Sequence, residues 1–183
     1  MERSDGEVTR LLIRWKDGDR EAYERLAALV YPEIRAMAQR RARGSAPLGA
    51  STLVSETYLK FLSAGESGPA DRQQFFSLMA TIMRQVIIDE ARSLQRLKRA
   101  GRKVTLNEEA VSVDSLDRAQ FLIQVDEIVD RLKDTDERMC RVFECRFFAG
   151  LTTAETAEAV ASSERTVERL WSRSRQLVRE MLE

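Results

Sequence analysis

The chain has 183 residues, of which 43% are hydrophobic and 33% are charged, which suits one domain or two small ones. No apolar stretch approaches the ~20 residues of a membrane span, and no histidine is present as a general base or metal ligand. The cysteines, Cys140 and Cys145, lie five residues apart on a predicted helix and suit neither a zinc site nor a disulfide framework. The first ten residues are polar and do not resemble a signal peptide. We expect a cytoplasmic, non-enzymatic protein without metal, cofactor or membrane insertion.

Only three prolines and eight glycines interrupt a chain rich in helix-forming residues, and no strand-like alternation is present. We therefore predict an all-α fold. In the first half, apolar periodicity predicts helices near residues 7–16, 20–43, 51–63 and 72–99. Residues 100–117 have weak periodicity and several charges, which is typical of a linker. Helices are then predicted near 118–133, 136–148, 153–160 and 164–182, so the expected domains are residues 7–99 and 118–183.

The last two predicted helices have the pattern of a helix-turn-helix. Gly150 ends one helix, Thr152 and Glu155 form a capping box for the next, and Ser163 can cap the last. The expected buried face of this last helix contains Val167, Leu170, Trp171, Ser174, Leu177, Val178 and Met181. Its opposite face is rich in arginine, which can pair bidentately with guanine or phosphate in DNA. The alternative is a plain αα-hairpin with a solvated charged face.

The formal net charge is zero, but the charges are segregated along the chain. Residues 84–103 carry seven basic and two acidic side chains, and residues 104–137 carry three basic and ten acidic ones. Residues 164–179 carry five basic and two acidic side chains. Because local charge determines attraction to phosphates, the two basic segments are compatible with nucleic-acid binding.

In order and spacing, these segments resemble a bacterial RNA polymerase sigma factor of the extracytoplasmic-function group. The similar segments are GDREAYERLAALVYPEIRAMAQRR, LVSETYLKFL and FFSLMATIMRQVIIDEARSLQRLKR for region 2, and RVFECRFFAGLTTAETAEAVASSERTVERLWSRSRQLVREML for region 4. The motifs VYPEIRAMA and RFFAGLT and the tryptophan at position 171 are similar to a subfamily found beside serine/threonine kinases. The resemblance implies a region 2 helical bundle over residues 7–99 and a region 4 helix-turn-helix over residues 118–183.

The resemblance also implies partners and contact residues. Core RNA polymerase would be bound through its β′ coiled coil and its β flap, and promoter DNA through both domains. An anti-sigma factor or a serine/threonine kinase would control activity. Residues 63–74 match the segment that captures a flipped −10 base. The matched polymerase-binding positions are Ser55, Glu56, Leu59 and Lys60; the matched −10 positions are Arg84, Arg92, Arg96 and Arg99; the matched −35 positions are Arg165, Glu168, Arg169, Ser172 and Arg173.

The sequence departs from the family pattern at the turn before the last helix. Ala161 stands where many relatives have a glycine in a positive-φ turn, which would cost ~1 kcal/mol if that geometry is kept. Ser162 replaces an aliphatic residue. Glu168 replaces a basic residue, and it could accept from a cytosine N4 or pair with a neighbouring arginine.

A second departure precedes the polymerase-binding helix. Relatives have an acidic run resembling D-A-E-D where this chain has Gly49, Ala50, Ser51 and Thr52. The hydroxyls of Ser51 or Thr52 could simply cap the helix. The alternative hypothesis is that phosphorylation of Ser51, Thr52 or Ser55 restores the missing charge and activates the protein.

Two other functions remain open for the sequence. One is a stand-alone helix-turn-helix regulator that never binds polymerase. The other is a helical interaction protein that mimics a sigma factor and sequesters an anti-sigma factor.

Overall fold

The computed structural model describes residues 2–42, 49–63, 69, 71–99 and 113–183. These residues form helices and their connections, with no strand among them, which confirms the predicted all-α fold. The helices are α1 (Glu2–Lys16), α2 (Arg20–Ala42), α3 (Ala50–Ser63), α4 (Arg72–Arg99), α5 (Val113–Thr135), α6 (Glu137–Phe143), α7 (Thr153–Ala159) and α8 (Glu164–Leu182). We call α1–α4 the N-terminal half and α5–α8 the C-terminal half. In the described part of the chain, no helix has the length and apolar character needed to cross a membrane.

Short polar side chains start several helices. Asp19 Oδ1 accepts from the Ala22 N–H at the start of α2, 3.1 Å away. Asp136 accepts from the Met139 N–H at the start of α6. After Phe143, α6 continues as a π-helical segment, Glu144–Phe148, which widens the helix beside the core.

Three expectations from the sequence are wrong in detail. Helix α5 begins at Val113, so residues 113–117 of the predicted linker are helical, while residues 100–112 lie outside the described residues. Helix α3 begins at Ala50, so Ser51 and Thr52 lie inside its first turn and neither is its N-cap. Met181 is 44% exposed, and Leu182 is the residue of the last turn of α8 that packs against the core.

The N-terminal half is organised around packed aromatic side chains. The ring of Phe61 on α3 lies 5.7 Å from Trp15 on α1 and 5.8 Å from Phe75 on α4, measured between centroids. Phe61, Phe75 and the adjacent Phe76 are fully buried. Aromatic pairs at these distances contribute ~0.5–1.5 kcal/mol beyond their buried area. They hold α1, α3 and α4 together, leaving the outer face of α3 free.

The two halves pack against each other and share one continuous apolar core. Helix α4 packs along α5, α7 and the π-helical segment. The backbones of the two halves come close together at Gly150, where φ is +63°. A Cβ added there would lie 3.1 Å from the Met37 carbonyl oxygen and 3.2 Å from the Arg41 nitrogen, both on α2. The glycine therefore permits both the end of the π-helical segment and its contact with α2.

Candidate promoter and polymerase interfaces

The α7–α8 pair has the geometry of a helix-turn-helix. Thr152 accepts from the Glu155 N–H, and the Glu155 carboxylate accepts from the Thr152 N–H at 2.7 Å, so the predicted capping box is present. Ser163 caps α8 by accepting from the Thr166 N–H. The second helix of such a pair is the one that enters the DNA major groove in DNA-binding proteins.

The turn between these helices contains the predicted strained residue. Ala161 has a φ of +48° and is a non-glycine residue in the left-handed region. The Ala161 N–H donates to the Glu158 carbonyl at 3.1 Å, and the Ser162 N–H donates to the Ala157 carbonyl at 2.8 Å. These two bonds define a Schellman motif, in which the last carbonyls of α7 gain partners. Its usual apolar residue is replaced by Ser162, whose Oγ accepts from Arg138 Nη2 at 2.7 Å.

The outer face of α8 presents all five predicted −35 residues to solvent. They occur at helical spacing on one face of the helix: Arg165, Glu168, Arg169, Ser172 and Arg173. The opposite face is buried through Val167, Leu170, Ser174 and Val178. The residues predicted to read DNA are thus together and accessible, although α7 behind them is packed against α4.

Arg84 occupies a different environment from the one expected for a DNA contact. Its side chain is only 14% exposed and pairs with three carboxylates of the C-terminal half. Nε donates to Asp126 Oδ1 at 2.7 Å, Nη2 donates to Asp130 Oδ1 at 2.6 Å, and Nη1 donates to Glu144. The guanidinium also lies 5.7 Å from the ring centroid of Phe148. Arg84 therefore has no edge available for phosphate in this structure.

Arg92 joins the same group, since its Nη2 donates to Asp126 Oδ2 at 3.2 Å. We call Arg84, Arg92, Asp126, Asp130 and Glu144 the Arg84 cluster. Burial alone would lower the pKa of Arg84, but hydrogen bonds to Asp130 and Asp126 and the nearby carboxylate charges outweigh it and raise the pKa. The guanidinium is thus charged at all physiological pH values.

The other predicted −10 arginines differ in their surroundings. Arg96 is exposed on α4, and Arg92 keeps half of its side chain in solvent despite its bond to Asp126. Arg99 ends α4, and its side chain lies outside the described residues. The predicted base-capturing segment, residues 63–74, lies partly outside them as well, at residues 64–68 and 70.

Further ion pairs between the halves have the same arrangement of charges as the Arg84 cluster. Arg40 Nη2 pairs with Glu155 Oε2 at 2.7 Å, and Arg40 Nε donates to the Gly150 carbonyl at 2.7 Å. Arg72 Nε lies 3.4 Å from Glu158 Oε1. In these pairs the cation belongs to the N-terminal half and the anion to the C-terminal half. Sequence reasoning missed Arg40 and Arg72, which lie outside the basic and acidic segments identified from the sequence.

The predicted polymerase-binding residues share the outer face of α3. Ser55 and Glu56 are exposed, and Leu59 is an apolar side chain that is 59% exposed. Lys60 Nζ donates to Asp89 Oδ2 at 2.9 Å, which links α3 to α4. Single exposed apolar side chains are common on protein surfaces, so the exposure of Leu59 shows that this face is accessible and no more.

Two more arginines were not expected from the sequence. Arg175 on α8 and Arg146 in the π-helical segment place their guanidinium carbons 5.2 and 5.8 Å from the ring of Trp171. Burial, followed by the charge of Arg175, lowers the pKa of Arg146. The charge of Glu168 also acts on Arg146, in the sense that raises its pKa. Glu168 thus lies in a basic environment.

The described residues contain no group of His, Cys, Asp and Glu side chains able to hold a metal ion. Cys140 and Cys145 are buried, and burial raises the pKa of each thiol to about 12. Both thiols are therefore protonated and unreactive at neutral pH.

Comparison with known proteins places this geometry in a family. The family model for ECF sigma factors matches residues 5–183. The search of the curated proteins gave no match. The match covers both the α3–α4 surfaces and the helix-turn-helix. The chain therefore belongs to the ECF sigma factor family, whose members are not enzymes but transcription initiation factors that bind core RNA polymerase and direct it to promoters.

Proposed function

We propose that this chain is an alternative sigma factor in which the N-terminal half binds core RNA polymerase and the −10 element, and α8 reads the −35 element. The observation that carries the proposal is the outer face of α8. Three arginines, at 165, 169 and 173, are exposed on that face next to Glu168 and Ser172. This face belongs to α8, the second helix of a capped helix-turn-helix, so the N-terminal residues of α8 can reach base edges in the major groove.

The outer face of α3 supports polymerase docking in the same proposal. Leu59 is the candidate anchor because it is the most exposed of the large apolar side chains described. Ser55, Glu56 and Lys60 would form the polar rim around it. The β′ coiled coil is the expected partner of this face, and the β flap that of the C-terminal half.

Co-purification with core polymerase tests this docking surface. We expect Leu59→Glu to weaken polymerase binding about tenfold or more, because it places a charge in an apolar contact. Ile13→Glu is the matched control, since Ile13 is also an exposed apolar side chain, 49% accessible, but lies on α1. If the two variants bind core polymerase equally well, the outer face of α3 is not the docking surface.

We further propose that phosphorylation at the start of α3 controls polymerase binding. Ser51 and Thr52 are exposed in the first turn of the helix, where free N–H groups and the helix dipole favour an anion. A phosphate there carries about −1.5 to −2 charges and three acceptor oxygens, which could replace the carboxylates of the family pattern. Ser55 is the least favoured site, because its Oγ already donates to the Ser51 carbonyl at 3.1 Å.

The test compares polymerase affinity of the unmodified chain with that of Thr52→Glu, Ser51→Glu and chain phosphorylated by a kinase. Tighter binding by the phosphorylated chain is expected. Ser63→Glu is the control, since Ser63 lies at the opposite end of the same helix. Full-strength binding by the unmodified chain, unchanged by phosphorylation at these positions, would exclude the switch. A kinase-associated subfamily stays a prediction.

A further inference from the structure

One acidic side chain interrupts the arginine-rich outer face of α8. Glu168 is exposed on that face, three residues after Arg165 and directly before Arg169. Side chains three residues apart on a helix are neighbours, so an ion pair between Glu168 and Arg165 is within reach. In the described part of the chain, however, Glu168 forms no ion pair or hydrogen bond with another residue. Its carboxylate is therefore available to a donor from outside the chain.

Two arginines beside this carboxylate are held on Trp171 instead. The guanidinium carbons of Arg146 and Arg175 lie 5.8 and 5.2 Å from the centroid of its ring. Arg146 Nη1 also donates to the Leu151 carbonyl at 2.6 Å. Burial and then the charge of Arg175 lower the pKa of Arg146, and the charge of Glu168 acts in the opposite sense, so Glu168 is close to Arg146 without pairing with it. This positive surrounding offsets part of the repulsion between Glu168 and DNA phosphates.

An ionised carboxylate only accepts hydrogen bonds, and this restricts the DNA groups that it can face. Phosphate oxygens repel it, so a position against the DNA backbone is unfavourable. In the major groove, guanine presents acceptors at O6 and N7, and thymine presents an acceptor at O4, and these also repel it. Adenine presents a donor at N6 beside an acceptor at N7, whereas cytosine presents only the N4 amino donor. Cytosine N4 is therefore the base donor that suits Glu168 best.

We propose that Glu168 is a specificity-determining residue that accepts a hydrogen bond from the N4 amino group of a cytosine in the −35 element. The inference rests on the proposed function, because it assumes that the outer face of α8 enters the major groove. It deepens that function by assigning a base to one position of the element. Guanines are expected beside the cytosine, where Arg165 and Arg169 present bidentate donors.

Selection of duplexes from a random-sequence library tests this assignment. The full chain, in whichever form, unmodified or phosphorylated, binds core polymerase, is assembled with it, and the DNA that the complex retains is sequenced. The variants are Glu168→Ala, which removes the acceptor, and Glu168→Gln, whose amide pairs with adenine N6 and N7. Glu180→Gln is the matched control, since it removes the same charge from an exposed position near the opposite end of α8. Circular dichroism verifies that each variant keeps its helices.

The wild-type chain should select a cytosine on one strand at one position of the −35 element. On defined duplexes it should bind this base about tenfold more tightly than the other three. Glu168→Ala should lose the preference at this position and keep the preferences at the others. Glu168→Gln should select adenine there in place of cytosine. Glu180→Gln should keep the wild-type preference, although loss of its negative charge should raise the affinity for every sequence.

The outcomes separate failure of the base assignment from failure of the proposed function. If both Glu168 variants keep the wild-type preference at every position, Glu168 does not read a base. If they change the preference at a position where the wild-type chain selects a base other than cytosine, the assignment to cytosine is wrong. Either result contradicts only this inference, because the wild-type chain still selects DNA. If no form of the wild-type chain binds polymerase, or the retained DNA has no preferred sequence, the proposed function is contradicted and this inference with it.

Discussion

Replacement of Ala161 by glycine should stabilise the protein. A non-glycine residue at φ +48° costs about 1–2 kcal/mol, and glycine removes this cost. Glycine also loses more conformational entropy on folding, by about 0.5–1 kcal/mol. The strain exceeds the entropy, so Ala161→Gly should raise the free energy of unfolding by about 0.5–1 kcal/mol and Tm by roughly 1–4 °C.

Urea unfolding of Ala161→Gly beside Ala28→Gly measures this effect with a matched control. Ala28 is exposed in the middle of α2, where glycine is a poor helix former and should cost about 1 kcal/mol. The same chemical change should therefore have opposite signs at the two positions. If Ala161→Gly lowers the free energy of unfolding as Ala28→Gly does, Ala161 does not have a positive φ in the turn between α7 and α8.

Three other predictions concern a contact, a DNA-reading residue and the thiols. Gly150→Ala should destabilise the protein more than Gly18→Ala, because both have positive φ but only the Gly150 site lies against backbone of another helix; equal losses in urea unfolding would contradict the contact. If the Arg169 side chain reads a base, Arg169→Ala should cost about 1–3 kcal/mol in promoter binding and relax sequence specificity at one base pair. If it binds phosphate instead, the substitution should lower the affinity for all DNA sequences alike and reduce the dependence of that affinity on salt concentration. A salt titration on promoter and scrambled DNA distinguishes the two, and no change in either excludes the residue from the interface. Burial raises the pKa of Cys140 and Cys145 to about 12, so the thiols of the unfolded chain ionise first and stability should fall as pH rises from 9 towards 12. The decline should be shallower in a Cys140→Ala/Cys145→Ala variant, and an identical pH profile would refute the burial argument.

Local features of the fold follow from the sequence because their causes are local. The Thr152–Glu155 capping box and the Ser163 cap each depend on a few consecutive residues. The positive φ of Ala161, in contrast, was expected only from the glycine that many relatives have at that position. The start of α5 at Val113 was missed because its first turn has weak apolar periodicity, which resembles a linker. Short-range patterns thus predict helix starts better where a capping side chain is present.

The environment of Arg84 could not be derived from the sequence. Its partners Asp126, Asp130 and Glu144 lie 42, 46 and 60 residues away, and only the packing of α4 against the C-terminal half brings them together. The sequence alone does not distinguish an arginine that binds phosphate from one that binds carboxylates of the same chain. The charge segregation was visible, but which surfaces meet depends on the tertiary fold.

Run-off transcription with purified core polymerase tests the central claim most directly. Fragmented genomic DNA serves as template, with polymerase alone and polymerase plus the Leu59→Glu variant as controls. If the chain is a sigma factor, transcripts should start at discrete sites only when the wild-type chain, unmodified or phosphorylated, is present, and Leu59→Glu in the same form should reduce them in proportion to its loss of polymerase binding. Polymerase association without any site-specific transcript, or no association by either unmodified or phosphorylated chain, would contradict the account.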